Sequence, residues 1–454
     1  MSQRFFCLCF SGLLASVCAQ EVSKAAQLQV APWLLAVDAK RIEASIRSLA
    51  GFSTRHVLSR TDSDTEGTGA ARAWLRQQFD AIAVSSGGRL TVSLQSANVP
   101  CVRPLLPKEI PIVNVIATLR GTTDPERSYV VSGHYDSRNG SPEDFVQAAP
   151  GADDDASGTA VMLEVCRVLA RETFSATVIF VAYDGEEQGL LGSQAHASAL
   201  AAANAQVDGM ITCDIVGNTL GVDGKIYDGY VRCFSYAPTG NDSSGRSLAR
   251  AVTYAAQRHV PDFAVRLIFR GDRYGRGGDH RSFFDQGYPS VRLSEPREDL
   301  SRQHADIVRR DGKPYGDLPE FVDCKYAAKV ARVVAATIGE LASAPRQPLA
   351  VKAEGARDHY DTLLTFELPK DVATCEYVWR ETTAADWQGV IPMADAKIFD
   401  AADGRRTALL TGICLDDVVV GIRSVGKNGA RSRVATPPEP ERILHRPKTL
   451  ENGK

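Results

Sequence analysis

Between Pro111 and Leu341 the sequence alternates short apolar runs with segments of helical period, and most of the apolar runs end on a histidine or a carboxylate. Ile112–Leu119, Tyr129–Ser132, Thr177–Tyr183, Val207–Ile215, Val265–Phe269 and Ser290–Leu293 read as strands. Thr177–Tyr183 is continuously β-branched and aromatic, the texture of a strand buried on both faces. Gly158–Ala170, Ser193–Ala203, Ser244–Gln257 and Phe321–Leu341 carry helical patterns. A chain that interleaves the two in this way is restricted to an α/β fold, with a mixed, mostly parallel central sheet flanked by helices.

The flanks read differently. Residues 41–110 mix helical and irregular patterns, with Ala71, Trp74, Leu75 and Phe79 at helical spacing after a turn at Thr61–Gly69. Past Ser343, Pro345 and Pro348 mark a linker. Leu363–Leu368, Glu376–Arg380, Lys397–Phe399, Leu409–Ile413 and Val418–Val425 follow as short strands with no helix between them, which predicts a small all-β sandwich over 344–436. Residues 437–454 are Pro-rich and charged and read as a disordered tail. At the other end, Arg4 precedes the apolar run Phe5–Val17, and small residues follow at Cys18-Ala19. That layout predicts a secretory signal over 1–19, a secreted or periplasmic protein, and an α/β domain over 20–343.

No later stretch is apolar for the ~18 residues a membrane span needs. A formal charge of −3 supplies no basic field for nucleic acid. Oligomeric state is not legible. Outside the signal the cysteines are Cys101, Cys166, Cys213, Cys233, Cys324, Cys375 and Cys414, with no Cys-x-x-Cys pair, so a thiolate zinc knuckle is not expected. Their odd number leaves at least one thiol free or paired between chains, and Cys375 with Cys414 is the candidate pair in the C-terminal part.

In an open α/β sheet, chemistry collects beyond the carboxyl ends of the strands. Tyr129–Ser132 leads to His134 and Asp136. Thr177–Tyr183 leads to Asp184-Gly185-Glu186-Glu187, and Val207–Thr212 to Asp214. Asp153-Asp154-Asp155 opens a helix, and His304 comes later. Each is weak alone, because carboxylates are common in loops. Asp214 is less ordinary, since it lies among apolar neighbours where an ionised carboxylate needs a partner. Three adjacent aspartates repel one another unless a cation or a helix N-terminus relieves them. Imidazoles and carboxylates without thiolates suit a catalytic zinc site or a pair of them. A carboxylate shared by two metals lets both activate one water, and a further carboxylate off the metals can take the proton.

Four segments carry a family resemblance: His134-Tyr-Asp-Ser, Ala149-Pro-Gly-Ala-Asp-Asp-Asp-Ala-Ser-Gly, Asp184-Gly-Glu-Glu-Gln-Gly-Leu-Leu-Gly-Ser and Gly278-Asp-His-Arg-Ser-Phe. Together, over roughly residues 40–343, the chain resembles metallopeptidase family twenty-eight, the co-catalytic zinc exopeptidases. The resemblance implies the zinc exopeptidase fold and two Zn2+ per chain. It implies Asp154 as the bridging ligand, His134 and Asp214 on one ion, and Glu187 and His304 on the other. Glu186 would be the general base and Asp136 the carboxylate that orients His134. His280, with Asp279 and Tyr274, is expected in the substrate pocket. The family usually has Thr directly after the last histidine and an Asp a few residues on, whereas Ala305, Asp306 and Ile307 stand here. His56, His196, His259 and His359 have no motif around them. Tyr377-Val-Trp-Arg and Asp416-Asp-Val-Val-Val-Gly-Ile-Arg resemble a fibronectin type III-like sandwich, with Trp379 a core residue.

The function this implies is hydrolysis of peptides by a secreted aminopeptidase. A carboxypeptidase or dipeptidase on the same metals would need a cation for the substrate carboxylate, and Arg270, Arg273 and Arg276 are candidates. A glutaminyl cyclase-like transferase keeps one zinc, which the full ligand set argues against. A non-catalytic adhesion module would show ligand losses, and none is seen.

Overall fold

The computed structural model describes residues 32–237, 242–356 and 360–438. The expected signal segment, His359 and the tail beyond residue 438 lie outside the described residues. The central sheet has eight strands: β1 (Leu90–Pro100), β2 (Glu109–Leu119), β3 (Asp124–His134), β4 (Ala176–Tyr183), β5 (Gln206–Cys213), β6 (Tyr230–Ser235), β7 (Ala264–Ile268) and β8 (Ser290–Ser294). Their order is β1-β2-β4-β3-β5-β8-β6-β7. β4, β3, β5 and β8 run parallel to one another, as do β6 and β7, while β1, β2 and the β6–β8 pairing are antiparallel. The sheet is therefore mixed, with its parallel heart where the sequence texture is most apolar.

Among the described residues seven helices accompany it: α1 (Ala39–Ala50), α2 (Gly67–Val84), α3 (Ala156–Leu169), α4 (Leu191–Ala202), α5 (Ser244–His259), α6 (His280–Asp285) and α7 (Cys324–Ser343). β4 shows how the layers are divided. Val178, Phe180 and Ala182 join the larger core with α1, α2, α3, α5 and α7, while Ile179, Val181 and Tyr183 join Ala197 and Phe283 of α4 and α6 on the opposite face. The period of two dictates that division. Each fully buried Val, Leu, Ile or Phe contributes about 1.5–3 kcal/mol of transfer free energy. Such repeated burial makes β4 the most firmly specified strand. The sequence does not announce the edge strand β1, because only Leu90 and Val99 along it are buried and most of its residues are exposed. α7 starts three residues later than its apolar pattern, at the point where Asp323 accepts from the Lys325 and Tyr326 amides.

The C-terminal part forms two antiparallel sheets. One has the order β11 (Leu349–Gly355), β12 (Thr362–Glu367), β16 (Arg406–Leu410), β15 (Lys397–Asp400). The other has the order β14 (Gly389–Pro392), β13 (Thr374–Glu381), β17 (Val418–Val425). A small hairpin, β9 (Val308–Arg310) and β10 (Lys313–Tyr315), precedes α7. Leu364, Phe366, Tyr377, Ala408, Val420 and Ile422 form the core between the two C-terminal sheets. Trp379 is only partly buried and lies at the seam with α5, next to Trp387. The sandwich docks on α5 through Ser247 Oγ to the Val434 carbonyl at 2.6 Å and Arg250 Nε to the Ala385 carbonyl at 2.8 Å. Cys375 and Cys414 are both free thiols, as are the five other cysteines among the described residues.

The start of α3 presses on the end of β5. A Cβ added at Gly158 would stand 2.0 Å from the Cys213 carbonyl oxygen and 2.5 Å from Asp155 Oδ1. Gly158→Ala is therefore expected to lower stability by about 3 kcal/mol or more, read as a shift in the denaturant midpoint.

Candidate metal centre

The carboxyl ends of β3, β4 and β5 and the N-terminus of α3 meet at one edge of the sheet. Asp155 fastens them. Its fully buried carboxylate caps α3 by accepting from the Gly158 amide at 2.9 Å, and accepts from the His134 amide at 3.0 Å and the Ile215 amide at 3.2 Å. The middle aspartate is thereby left free to point outward. Asp154 Oδ1 lies 3.2 Å from His134 Nε2, and Asp154 Oδ2 lies 2.8 Å from His304 Nε2. His134 Nε2 is also 3.8 Å from Asp214 Oδ1, and His304 Nε2 is 2.9 Å from Glu187 Oε1. The five residues expected from sequence are thus together, as two triads, His134–Asp154–Asp214 and Asp154–Glu187–His304, that share Asp154.

Asp136 orients both halves. Its Oδ1 is 3.3 Å from His134 Nδ1 and accepts from the Glu186 amide at 3.1 Å, while Oδ2 accepts from the Glu187 amide at 3.0 Å. Glu186 is only partly buried and faces a cleft of about 550 Å3 that Asp154, Glu187, Asp214 and His304 also line. Its carboxyl is pushed well up by burial and by Asp214 and Asp279 nearby. Burial alone would raise Asp154, but His304 and His134 hold its carboxyl well below the usual value. Burial next to Asp153 and Asp154 pushes Asp317 up to about 8. A region that crowds this many carboxylates asks for cations.

The donors fit metal ions. Tetrahedral ligands about 2.0 Å from zinc are roughly 3.3 Å apart. The separations of 2.8, 2.9, 3.2 and 3.8 Å bracket that figure. Glu187 Oε1 is buried and makes no hydrogen bond, although His304 Nε2 is 2.9 Å away. That nitrogen and oxygen converge on a point instead of bonding one another, as ligands of one ion do.

Three expected pocket residues are not in the cleft wall. Asp279 and His280, at the start of α6, are fully buried, with the His280 ring packed against Tyr236. Burial pushes the Asp279 carboxyl up to about 7, and His280 Nε2 is bonded to the Gly271 carbonyl at 2.7 Å. Tyr274 is 89% exposed and stacks with Arg270, pointing to solvent. Asp306 does not back His304. It accepts from the Gly140 amide, and the Arg138 guanidinium stands at His304 Nδ1, 2.5 Å away.

Sequence reasoning missed several residues. Asp317 accepts from the Asp153 and Asp154 amides, each at 2.8 Å, and so sets the loop that presents Asp154. Arg292, fully buried in β8, binds Asp214 Oδ1 at 2.8 Å and Asp272 Oδ2 at 3.3 Å. A charged residue inside an apolar strand was its only sequence signal. His304 stands at φ 52°, a left-handed conformation that costs a bulky residue about 1–2 kcal/mol and marks a functional position.

The model of peptidase family M28 matches residues 114–335, which hold all of these candidates. A probable zinc metalloprotease of Leptosphaeria maculans is 39% identical, with 88% of this chain and 95% of that protein covered. One from Phaeosphaeria nodorum is also 39% identical, covering 88% of this chain and 86% of that protein. Among solved structures, the LapA aminopeptidase of Legionella pneumophila matches with a TM-score of 0.53 and 19% identity, covering 71% of this chain and 76% of that one. The aminopeptidase of Aneurinibacillus sp. strain AM-1 matches at 0.50 and 16% identity, covering 71% and 97%. At such identities the two structures speak for the fold alone.

Arg292 is the main cation in contact with Asp214, so Arg292→Leu leaves buried carboxylates without it. The variant is expected to lose about 3–5 kcal/mol of stability. Chemical denaturation of wild type and variant in metal-free buffer measures the loss.

Proposed function

Because the chain belongs to peptidase family M28, we propose that this zinc metalloprotease is a two-zinc exopeptidase, releasing residues from the N-terminus of peptides. The observation that carries the reading is Asp154, whose two oxygens face two separate sets, His134 with Asp214 and Glu187 with His304. These five side chains would hold the ions. Bound zinc would polarise the scissile carbonyl and bring the pKa of a water toward neutrality.

The chain's own groups do the rest. Glu186 lies beside the ligands, with its main-chain amide fixed by Asp136, and is the group placed to take a proton from the attacking water and return it to the leaving amine. Asp136 holds the His134 ring by Nδ1, which leaves Nε2 for the metal. Glu186, the cleft carboxylate outside the proposed ligand set, is the negative group left to meet a substrate's α-ammonium, which supports action at N-termini. A second reading, action at C-termini or on dipeptides, is favoured by arginines in the cleft wall. Arg273 and Arg276 line the cleft but are engaged with Glu298, and Arg270 is outside the lining.

Two assignments away from the centre belong to the same reading. Export follows from the Arg4, Phe5–Val17 and Ala19 pattern. A fibronectin type III-like C-terminal module is supported by the four-plus-three strand arrangement around one core.

Glu186→Gln is expected to keep two zinc ions per chain by elemental analysis while kcat falls roughly a thousandfold. Near-normal turnover would remove Glu186 as the base. Chelation is expected to abolish hydrolysis and added zinc to restore it. Hydrolysis that persists after verified metal removal would dismiss the mechanism. Profiling the zinc-loaded protein on peptides with free and blocked ends separates the two readings.

A further inference from the structure

The wall of the cleft is unusual for its charge. Arg103, Arg138, Arg273, Arg276 and Arg281 all line it, whereas the aliphatic lining is Leu190 alone. The five are not equivalent. Arg273 pairs with Asp272 at 3.0 Å and Glu298 at 2.7 Å, Arg276 with Glu298 at 3.2 Å, and Arg281 with Asp285 at 3.7 Å. Each of those carboxylates lies outside the proposed ligand set. Arg103 and Arg138 instead converge on Glu187. Arg103 Nη2 donates to the Glu187 main-chain carbonyl at 2.7 Å, and Arg138 Nε donates to Glu187 Oε2 at 3.0 Å. Among the described residues Arg103 has no carboxylate within ion-pair distance, and Arg138 has only Glu187.

Both guanidiniums stand at the rim of the cleft on the Glu187 side. A guanidinium carries five N–H donors. Arg103 spends one on the Glu187 carbonyl, and Arg138 engages Glu187 Oε2 and His304 Nδ1, so each keeps N–H groups for an anion in the cleft.

We propose that Arg103 and Arg138 form a clamp for a carboxylate of the substrate, so that the preferred peptides bring an anion to the Glu187 side of the cleft. This rests on the peptidase reading above and names its substrate class. A planar, two-pronged carboxylate matches the guanidinium fork, and each charge-assisted pair is short and directional. The anion can be the peptide's own C-terminal carboxylate or an acidic side chain.

The test uses zinc-loaded full-length protein and three matched substrates: Ala-Leu-Ala as the free acid, Ala-Leu-Ala amide, and Ala-Glu-Ala amide. At least one carboxylate-bearing peptide is expected to exceed Ala-Leu-Ala amide in kcat/KM by roughly ten- to a hundredfold. That ratio is expected to collapse in Arg103→Gln, with zinc content checked by elemental analysis. An advantage of the free acid assigns the C-terminal carboxylate, and an advantage of Ala-Glu-Ala amide assigns an acidic side chain. Equal rates on all three, or a ratio that survives in both Arg103→Gln and Arg138→Gln, would overturn the clamp and leave the peptidase reading standing. If none of the three is cleaved, calorimetric titration of N-acetylglutamate and of its diamide decides separately. Selective binding of the acid that weakens about tenfold in Arg103→Gln supports the clamp while the peptidase reading falls. Absence of such binding overturns the clamp.

Discussion

The candidate centre depends on one buried carboxylate that faces away from it. Asp155 accepts amides from His134, Gly158 and Ile215, and so ties the end of β3, the first turn of α3 and the exit of β5 to a single side chain. A carboxylate with three main-chain donors is strongly held, and no water competes for it at zero exposure. With those three segments fixed, His134, Asp154 and Asp214 have little freedom left. Asp136 plays the same part toward β4, joining the His134 ring to the Glu186 and Glu187 amides. The centre is therefore positioned by main-chain hydrogen bonds to second carboxylates, and the outward side chains inherit their places from them.

That hierarchy explains what was legible. The apolar runs marked the strand ends, and the polar residues just beyond them carried the signal for His134, Asp154, Glu186, Glu187 and Asp214. Local adjacency also favoured Asp136, two residues from its partner. Asp317 was invisible because the amides it serves are 163 and 164 residues away, and nothing about a lone Asp in a loop announces them. Arg292 hid in a strand whose pattern was read only for burial. The expected pocket residues diverge: Asp279 and His280, at the start of α6, face the interior, His280 bonding the Gly271 carbonyl, while Tyr274 stands exposed beside Arg270.

Charge also separates the two sides of the site. On the Asp214 side, Arg292 supplies a buried, permanent cation, and Asp214 is lowered by it once the opposing cost of burial is overcome. On the Glu187 side the counterpart is Arg138, a partly buried side chain from a loop. A buried guanidinium in a strand cannot move without breaking the core. One in a loop can exchange partners at small cost. The two halves of the pair are thus unequal in rigidity, with the flexible half opening toward the cleft.

This inequality bears on how far kinship informs specificity. The strand ends that bear the ligands are fixed by the sheet, so members of one fold share them for reasons of packing. The groups over the cleft come from connections: Arg103 from the β1–β2 turn, Arg138 from the segment after β3, Arg273 and Arg276 from the segment before α6. The β1–β2 turn and the segment before α6 add no side chain to either large core, and the segment after β3 adds only Tyr135 and Ala152, so most of their side chains are free to vary without loss of the fold. Shared chemistry with variable recognition is the expected outcome of that division. The substrate class must then be argued from the arginines that this chain places around its own cleft.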